Sequence, residues 1–150
     1  MQLDLNNVLI TGASSMVGRY ADFGVRPSRA ELNITHFEES LAFVLEQRPS
    51  AILHLAALTD MKYCEEHPEE ARLVNAESTR ILAEAATAVN ARFIYLSTNA
   101  VFDGAKPVPY DEDDTPAPVT AYGISKLAGE REVKHCAKNW LIVRTSRVFG

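Results

Sequence analysis

The chain has no long apolar run, no run of basic charge and few cysteines. No stretch of its 150 residues approaches the ~20 consecutive apolar residues of a membrane span, so no membrane partner is expected. Lys and Arg number 15 against 20 Asp and Glu, a formal net charge of −5. That balance lacks the electrostatic footprint of a nucleic-acid binder. The opening MQLDLNNVLITG has neither the basic start nor the long apolar core of a signal peptide. Cys64 and Cys136 stand alone and far apart, the pattern of reduced thiols in a cytoplasmic protein rather than of a disulfide framework. His36, His54, His67 and His135 have no metal-site spacing with each other or with the cysteines. Repeats and low-complexity tracts are missing as well.

What is present is an ordinary globular composition, 47% hydrophobic and 23% charged, in a chain long enough for one domain with a real core. Val8–Thr11 is a short β-branched run that stops at Gly12, a strand leading into a tight turn. Thr35-His-Phe-Glu38 has the form of a capping box. Phe37, Leu41, Val44 and Leu45 then recur at helical spacing up to about Arg48-Pro49. Residues 51–56 are a continuous apolar run suited to a strand buried on both faces, and residues 92–97 are the next buried strand. Pro68 opens a helix expected to run unbroken to Val89. A Pro- and Asp-rich loop from Asn99 to about Thr120 precedes a helix from about Ala121 to Cys136, and Leu141–Thr145 is the last strand. Strands alternating with helices predict an α/β fold with a parallel sheet covered on both faces. Its ligands would bind at the carboxyl ends of the strands.

Thr11-Gly-Ala-Ser-Ser-Met-Val-Gly18 closes the first strand. Glycines at Gly12 and Gly18 permit a tight turn and close backbone approach, and a following helix N-terminus would hold a pyrophosphate. Ser15 occupies the place of the usual central glycine. The segment from Arg19 to Ala30 is too short for a full helix plus a full strand, since a parallel crossover needs at least ~10–12 residues. Either the first helix shrinks to a turn or the second strand is missing. The acidic residue that usually holds the adenine ribose is not evident. Arg26 and Arg29 offer positive charge for a 2′-phosphate instead.

Tyr122 and Lys126 lie at i and i+4 in AYGISKLAGERE, so they project from one helical face. Free tyrosine titrates near pKa ~10. A cation ~4 Å away interacts with a phenolate by roughly 4 kcal/mol at an effective dielectric of ~20. Lys126 is therefore expected to draw Tyr122 toward the range of general acid/base work. A hydroxyl from Ser97 or Thr98 would complete a proton-transfer site at a carbonyl or alcohol.

Taken in order, LITGASSMVG (Leu9 to Gly18), ELNIT (Glu31 to Thr35), RPSAILHLAALTD (Arg48 to Asp60), CEEHPEEARLVNAEST (Cys64 to Thr79), YLSTNAVFDG (Tyr95 to Gly104), PYDEDDTPAPVTAYGISKLAGE (Pro109 to Glu130) and LIVRTSRVFG (Leu141 to Gly150) resemble the extended short-chain dehydrogenase/reductase superfamily. Within it the chain is similar to the dTDP-4-dehydrorhamnose reductase group, which includes the methionine adenosyltransferase regulatory β-subunit. The resemblance implies a Rossmann-like doubly wound parallel sheet, here one NAD(P)-binding domain over residues 1–150 with a shortened first βαβ unit and no C-terminal substrate domain. It implies NADP or NAD as cofactor and a nucleotide-sugar as substrate. Thr98, Tyr122 and Lys126 become the catalytic set. Gly12, Ser15, Met16 and Gly18 line the pyrophosphate, Arg29 the adenosine end, and Ala56 and Ala57, with His54 before them, the length of the cofactor. Lys126 also bonds the nicotinamide ribose, and Asn75 braces the strands of the site. The activity implied is reduction of a 4-keto-deoxysugar nucleotide. A non-catalytic NAD(P)-binding regulatory module and a nucleotide-sugar epimerase or dehydratase are the other readings. The chain departs from the group at Asn99-Ala100, where Asp-Tyr is usual, at Met61-Lys62-Tyr63, where Val-Asp-Lys is frequent, and at Arg147, where Trp is common. Group members run on for roughly as long again into a domain that covers the sugar. Apolar surface left without that cover is expected to drive homo-oligomer formation.

Overall fold

The structure, a computed structural model, describes residues 4–146 and residue 148. Arg147 lies outside the described residues. Four strands, β1 (Val8–Thr11), β2 (Ala51–His54), β3 (Arg92–Thr98) and β4 (Trp140–Thr145), form one all-parallel sheet in that order. Their registers run Leu9↔Ile52, Ile52↔Phe93 and Phe93↔Trp140. All carboxyl ends therefore share one edge, where Gly12, Leu55 and Thr98 emerge.

The helices are α1 (Phe37–Gln47), α2 (Met61–Glu66), α3 (Pro68–Arg72), α4 (Ser78–Ala88) and α5 (Ala121–Cys136). α1, α4 and α5 lie side by side over one face of the sheet. Leu9, Ile52, Phe93 and Tyr95 from the strands meet Val44, Leu82, Ala86 and Val133 from these helices in the main core. Burying an aliphatic or aromatic side chain of this kind contributes about 1.5–3 kcal/mol. On the opposite face Val8, Ile10 and Ala51 pack under Val17, Ala21 and Phe23. Covering there comes from a loop and stops at β2. Leu141 and Val143 of β4 stay 42% and 37% exposed.

The short crossover after Gly18 resolves in both of the ways the sequence allowed. The first helix is a three-residue 3₁₀ turn, Gly18–Tyr20. The second strand is a single bridge, Leu9↔Val25, in which Val25 donates to Val8 O and accepts from Ile10 N, both at 2.8 Å. Three further features differ from or add to the sequence reading. The Thr35 capping box does not form: the helix begins after His36 without a side-chain cap, because Thr35 Oγ1 donates to Asn33 Oδ1 at 2.9 Å. The residue run 61–66 is a helix, started by Asp60, whose carboxylate accepts from Tyr63 N. The helix after Pro68 runs on to Ala88 as expected, with helical dihedrals at its internal junctions, but it is not α-helical throughout. A π-helical turn, Leu73–Glu77, separates α3 from α4, and such turns cluster at functional sites.

Candidate active site

The first feature at the carboxyl edge is a cleft of about 320 Å³ over the ends of β1 and β2. Gly12, Ala13, Ser14 and Ser15 form one wall, Leu55 to Thr59 another, and Arg29 with Leu32 to Thr35 the rim. Gly12 has φ +70°, and a Cβ there would lie 2.6 Å from Ala56 N. Only glycine gives this turn while letting the two strand ends touch. Gly18 folds back so tightly that a Cβ would strike the Gly12 carbonyl oxygen. Ser15 stabilises the turn: its Oγ accepts from Gly18 N at 3.0 Å, and its own N–H donates to Gly12 O at 2.9 Å.

Of the residues singled out for a cofactor, Gly12, Ser15, Arg29, Ala56 and Ala57 line this cleft. Met16 points outward, 48% exposed, and Gly18 is buried behind the turn. The helix dipole expected after the glycine turn is reduced to that of one 3₁₀ turn. The two arginines separate. Arg26 Nη2 reaches the carbonyls of Ala13 and Gly18 at 3.4 and 3.3 Å, tying the glycine turn together. Arg29 is exposed on the rim and has no ion-pair partner among the described residues. Glu31 caps its own turn through Ser28 N and Oγ, so its carboxylate is taken.

The second feature is the N-terminal half of α5. Two caps fix its start: Thr120 Oγ1 accepts from Gly123 N at 3.1 Å, and the Glu65 carboxylate from α2 accepts from Ala121 N at 2.7 Å. Both anchors suit the positive end of a helix. Tyr122 is half-buried. Burial pushes its hydroxyl pKa up, the Thr98 hydroxyl pulls it down, and the nearby Cys64 pushes it up again. The net direction is upward. Lys126 is not among the groups acting on it, contrary to the expected depression, and the reason is geometric. Lys126 is 2% exposed. Its Nζ donates to Leu96 O at 2.8 Å and lies 4.0 Å from the centre of the Tyr95 ring. Burial lowers the Lys126 pKa to about 7, against the opposing pull of Glu130. The choice between Ser97 and Thr98 is also made by contacts. Ser97 Oγ is committed to Glu130 at 2.6 Å. Thr98 accepts from Ala100 N at 3.1 Å, which leaves its proton free to donate beside Tyr122.

A buried polar chain joins the two features. Thr11 Oγ1 and His54 Nδ1 are 2.6 Å apart, and His54 Nε2 and Thr79 Oγ1 3.0 Å. Thr79 donates to Asn75 O, so its oxygen accepts from His54 Nε2–H, which fixes the tautomer. The π-helical turn aims Asn75 inward, where its amide grips both backbone groups of Leu58 and donates to Ser125 Oγ at 2.9 Å. Ser125 in turn donates to Tyr122 O. Asn75 thus ties the loop after β2 to α5, where the resemblance implied a brace of the strands. The reach of His54 from glycine turn to brace was not read from the sequence. Burial, with Lys126 adding to it, drops the His54 pKa from 6.5 to about 3. As pH falls, the unfolded chain takes this proton first. Stability conferred by neutral His54 is whole above pH 6.5 and falls below it by about 1.4 kcal/mol per pH unit. Urea midpoints measured from pH 7 to 5 are expected to show that slope. His54→Asn is expected to flatten it, and an unchanged slope in that variant would contradict the buried neutral state.

Fold and site together define a Rossmann-like parallel α/β domain, with a glycine-turn cleft and a helix bearing Tyr122 and Lys126 on the same sheet edge. The chain belongs to the RmlD substrate binding domain family, whose profile matches residues 6–150. It is 37% identical over 150 residues to a dTDP-4-dehydrorhamnose reductase of Burkholderia thailandensis, covering 95% of this chain and 50% of that protein. It is 35% identical over 157 residues to the methionine adenosyltransferase 2 subunit beta of Xenopus tropicalis, covering 95% of this chain and 47% of the relative. A crystal structure of a Bacillus anthracis dTDP-4-dehydrorhamnose reductase in complex with NADP superposes with a TM-score of 0.89 at 36% identity, over 97% of this chain and 55% of that one. The chain spans about half the length of the curated relatives it matches.

Proposed function

We propose that the chain is the cofactor-binding, proton-donating part of an NADPH-dependent reductase acting on a 4-keto-deoxysugar nucleotide. The observation that carries this reading is the shared edge: the Gly12 cleft lies at the same carboxyl edge of the sheet as Thr98 and the start of the helix bearing Tyr122 and Lys126, although these three do not line the cleft. The cleft fits a dinucleotide's adenosine and diphosphate end in kind. Its wall is backbone and small side chains around Gly12, and it falls in the size range of ligand pockets, about 300–1,000 Å³. Gly12, Ser15, Ala56 and Ala57 would hold that end. Arg29 supports NADPH over NADH, because it is an unpaired cation on the rim while Glu31 is committed to Ser28. The cofactor, when bound, supplies the hydride.

The chain's own residues supply the proton. Tyr122, kept protonated at neutral pH by burial, donates to the substrate oxygen as it gains negative charge. Thr98 donates a hydrogen bond to the same oxygen. Lys126 is buried and anchored on Leu96 O, and would serve the cofactor ribose only with its ammonium turned outward from that seat. The reading includes a cytoplasmic setting, in keeping with the two free thiols, and self-association through apolar surface.

NADPH at millimolar concentration is expected to raise the melting temperature of the chain, and NADH to raise it less, by mass action on the folded state. Trp140 opens β4 at the opposite edge of the sheet, so melting rather than its fluorescence is the suitable readout. No shift with either nucleotide would remove the cofactor from the account. A second reading, a nucleotide-binding regulatory module, is favoured by the likeness to the methionine adenosyltransferase 2 subunit beta and by Asn99-Ala100. It shares the cofactor claim and parts from the first at Tyr122.

A further inference from the structure

Beneath the proposed acid/base groups lies a buried charge cluster. Glu130 is 1% exposed. Its Oε1 accepts from Ser97 Oγ at 2.6 Å and Arg144 Nε at 2.8 Å, and its Oε2 accepts from Arg144 Nη2 at 2.7 Å. One carboxylate thus joins the end of β3, the end of β4 and the middle of α5. Each contact adjoins a group of the site. Ser97 precedes Thr98, Arg144 precedes Thr145, which is in register with Thr98, and Glu130 lies one helical turn beyond Lys126. The Arg144 guanidinium also rests 5.1 Å from the Phe102 ring, just past the Asn99–Val101 turn.

Stability alone does not explain such a cluster. A buried ion pair is often no better than apolar residues of the same volume, although breaking one by removing a partner is costly. An apolar pair, however, provides no fixed charge. The groups facing the buried Lys126 ammonium are Leu96 O and the Tyr95 ring from β3, His54 from β2, and Glu130 from α5 itself, with Arg144 of β4 behind Glu130. In that set Glu130 is the anion.

We propose that Glu130 is a positioning residue of the acid/base site: clamped by Ser97 and Arg144, it locks the ends of β3 and β4 onto α5 and supplies the negative charge that holds the Lys126 ammonium in its buried seat. This rests on the reading of Lys126 as a cofactor-facing group, but it is tested without cofactor or substrate. Glu130 opposes the burial that lowers the Lys126 pKa, which adds weight to the geometry.

The experiment is an NMR titration of the unliganded chain labelled at lysine ¹³Cε, with Lys126→Met assigning the resonance. Glu130→Gln keeps the side chain's shape and removes its charge, so the Lys126 titration is expected to move to lower pH. Arg144→Gln removes the competing cation and leaves Glu130 to Lys126, so the titration is expected to move to higher pH. Opposite shifts are what a charge held next to Lys126 requires, and general loosening of the fold would not produce them. If Glu130→Gln fails to fold, Arg144→Gln is read beside Arg144→Lys, which keeps the cation: an upward shift in the glutamine variant alone supports the clamp, and equal shifts in both overturn it. Variants that titrate like the parent, or both shift one way, would overturn it. Absence of NADPH binding would sink the reductase reading and leave this result standing.

Discussion

Tyr122→Phe is expected to lower the rate of NADPH-dependent reduction of a dTDP-4-keto-deoxysugar by about 10²–10⁴-fold, the usual contribution of a positioned general acid, while leaving NADPH affinity nearly unchanged. Tyr122 is half-buried on the first turn of a doubly capped helix, and its hydroxyl is shifted upward. It is therefore protonated at neutral pH, the state a proton donor needs at the start of a reduction. Phenylalanine keeps the ring and its packing and removes only the hydroxyl, so folding and the Gly12 cleft are expected to survive. Steady-state rates with cofactor affinity measured in parallel distinguish the outcomes. Equal loss of rate and affinity would make Tyr122 a structural residue. A parent protein with cofactor affinity but no rate would favour the regulatory reading.

Gly12→Ala is expected to cost about 3 kcal/mol of stability and to remove cofactor affinity. An alanine at φ +70° is strained by roughly 1–2 kcal/mol. Its methyl would also lie 2.6 Å from Ala56 N and 2.7 Å from Ala56 Cα. Those atoms are backbone at the end of β2, so relief requires the two strand ends to separate, at a cost typical of overpacking, about 1–3 kcal/mol. For a domain of this size the melting temperature is expected to fall by about 6–12 °C. The same separation distorts the wall formed by Ala56 and Ala57. A variant that melts with the parent would show that the strand ends are not held together at this turn.

Much of this arrangement is legible in the sequence, for identifiable reasons. α5 begins at Ala121 and ends at Cys136 as expected, because Thr120 is a strong cap. β2 and β3 follow apolar runs of the kind a strand buried within a parallel sheet requires, and both lie inside the sheet. Gly12 and Gly18 announce their turn because no other residue fits it. The parts that were not legible depend on tertiary partners. The π-helical turn at Leu73–Glu77 has no local signal, since the backbone shifts there to deliver Asn75 to Leu58 and Ser125. Thr35 looks like a cap but is captured by Asn33. Lys126 shares a helical face with Tyr122, yet burial and the Leu96 carbonyl take its ammonium inward. Glu130 did leave a trace, as an acidic residue four positions past Lys126 on the same buried face. Its meaning emerges only when β4 brings Arg144 alongside.

The shared edge is tested most directly by titrating NADPH into ¹⁵N-labelled chain and mapping the amide shifts. The account predicts the largest changes at Gly12, Ala13, Ser15, Ala56 and Ala57, with smaller ones reaching Thr98 and the start of α5. Saturation with shifts confined elsewhere, or no shifts at millimolar NADPH, would contradict it.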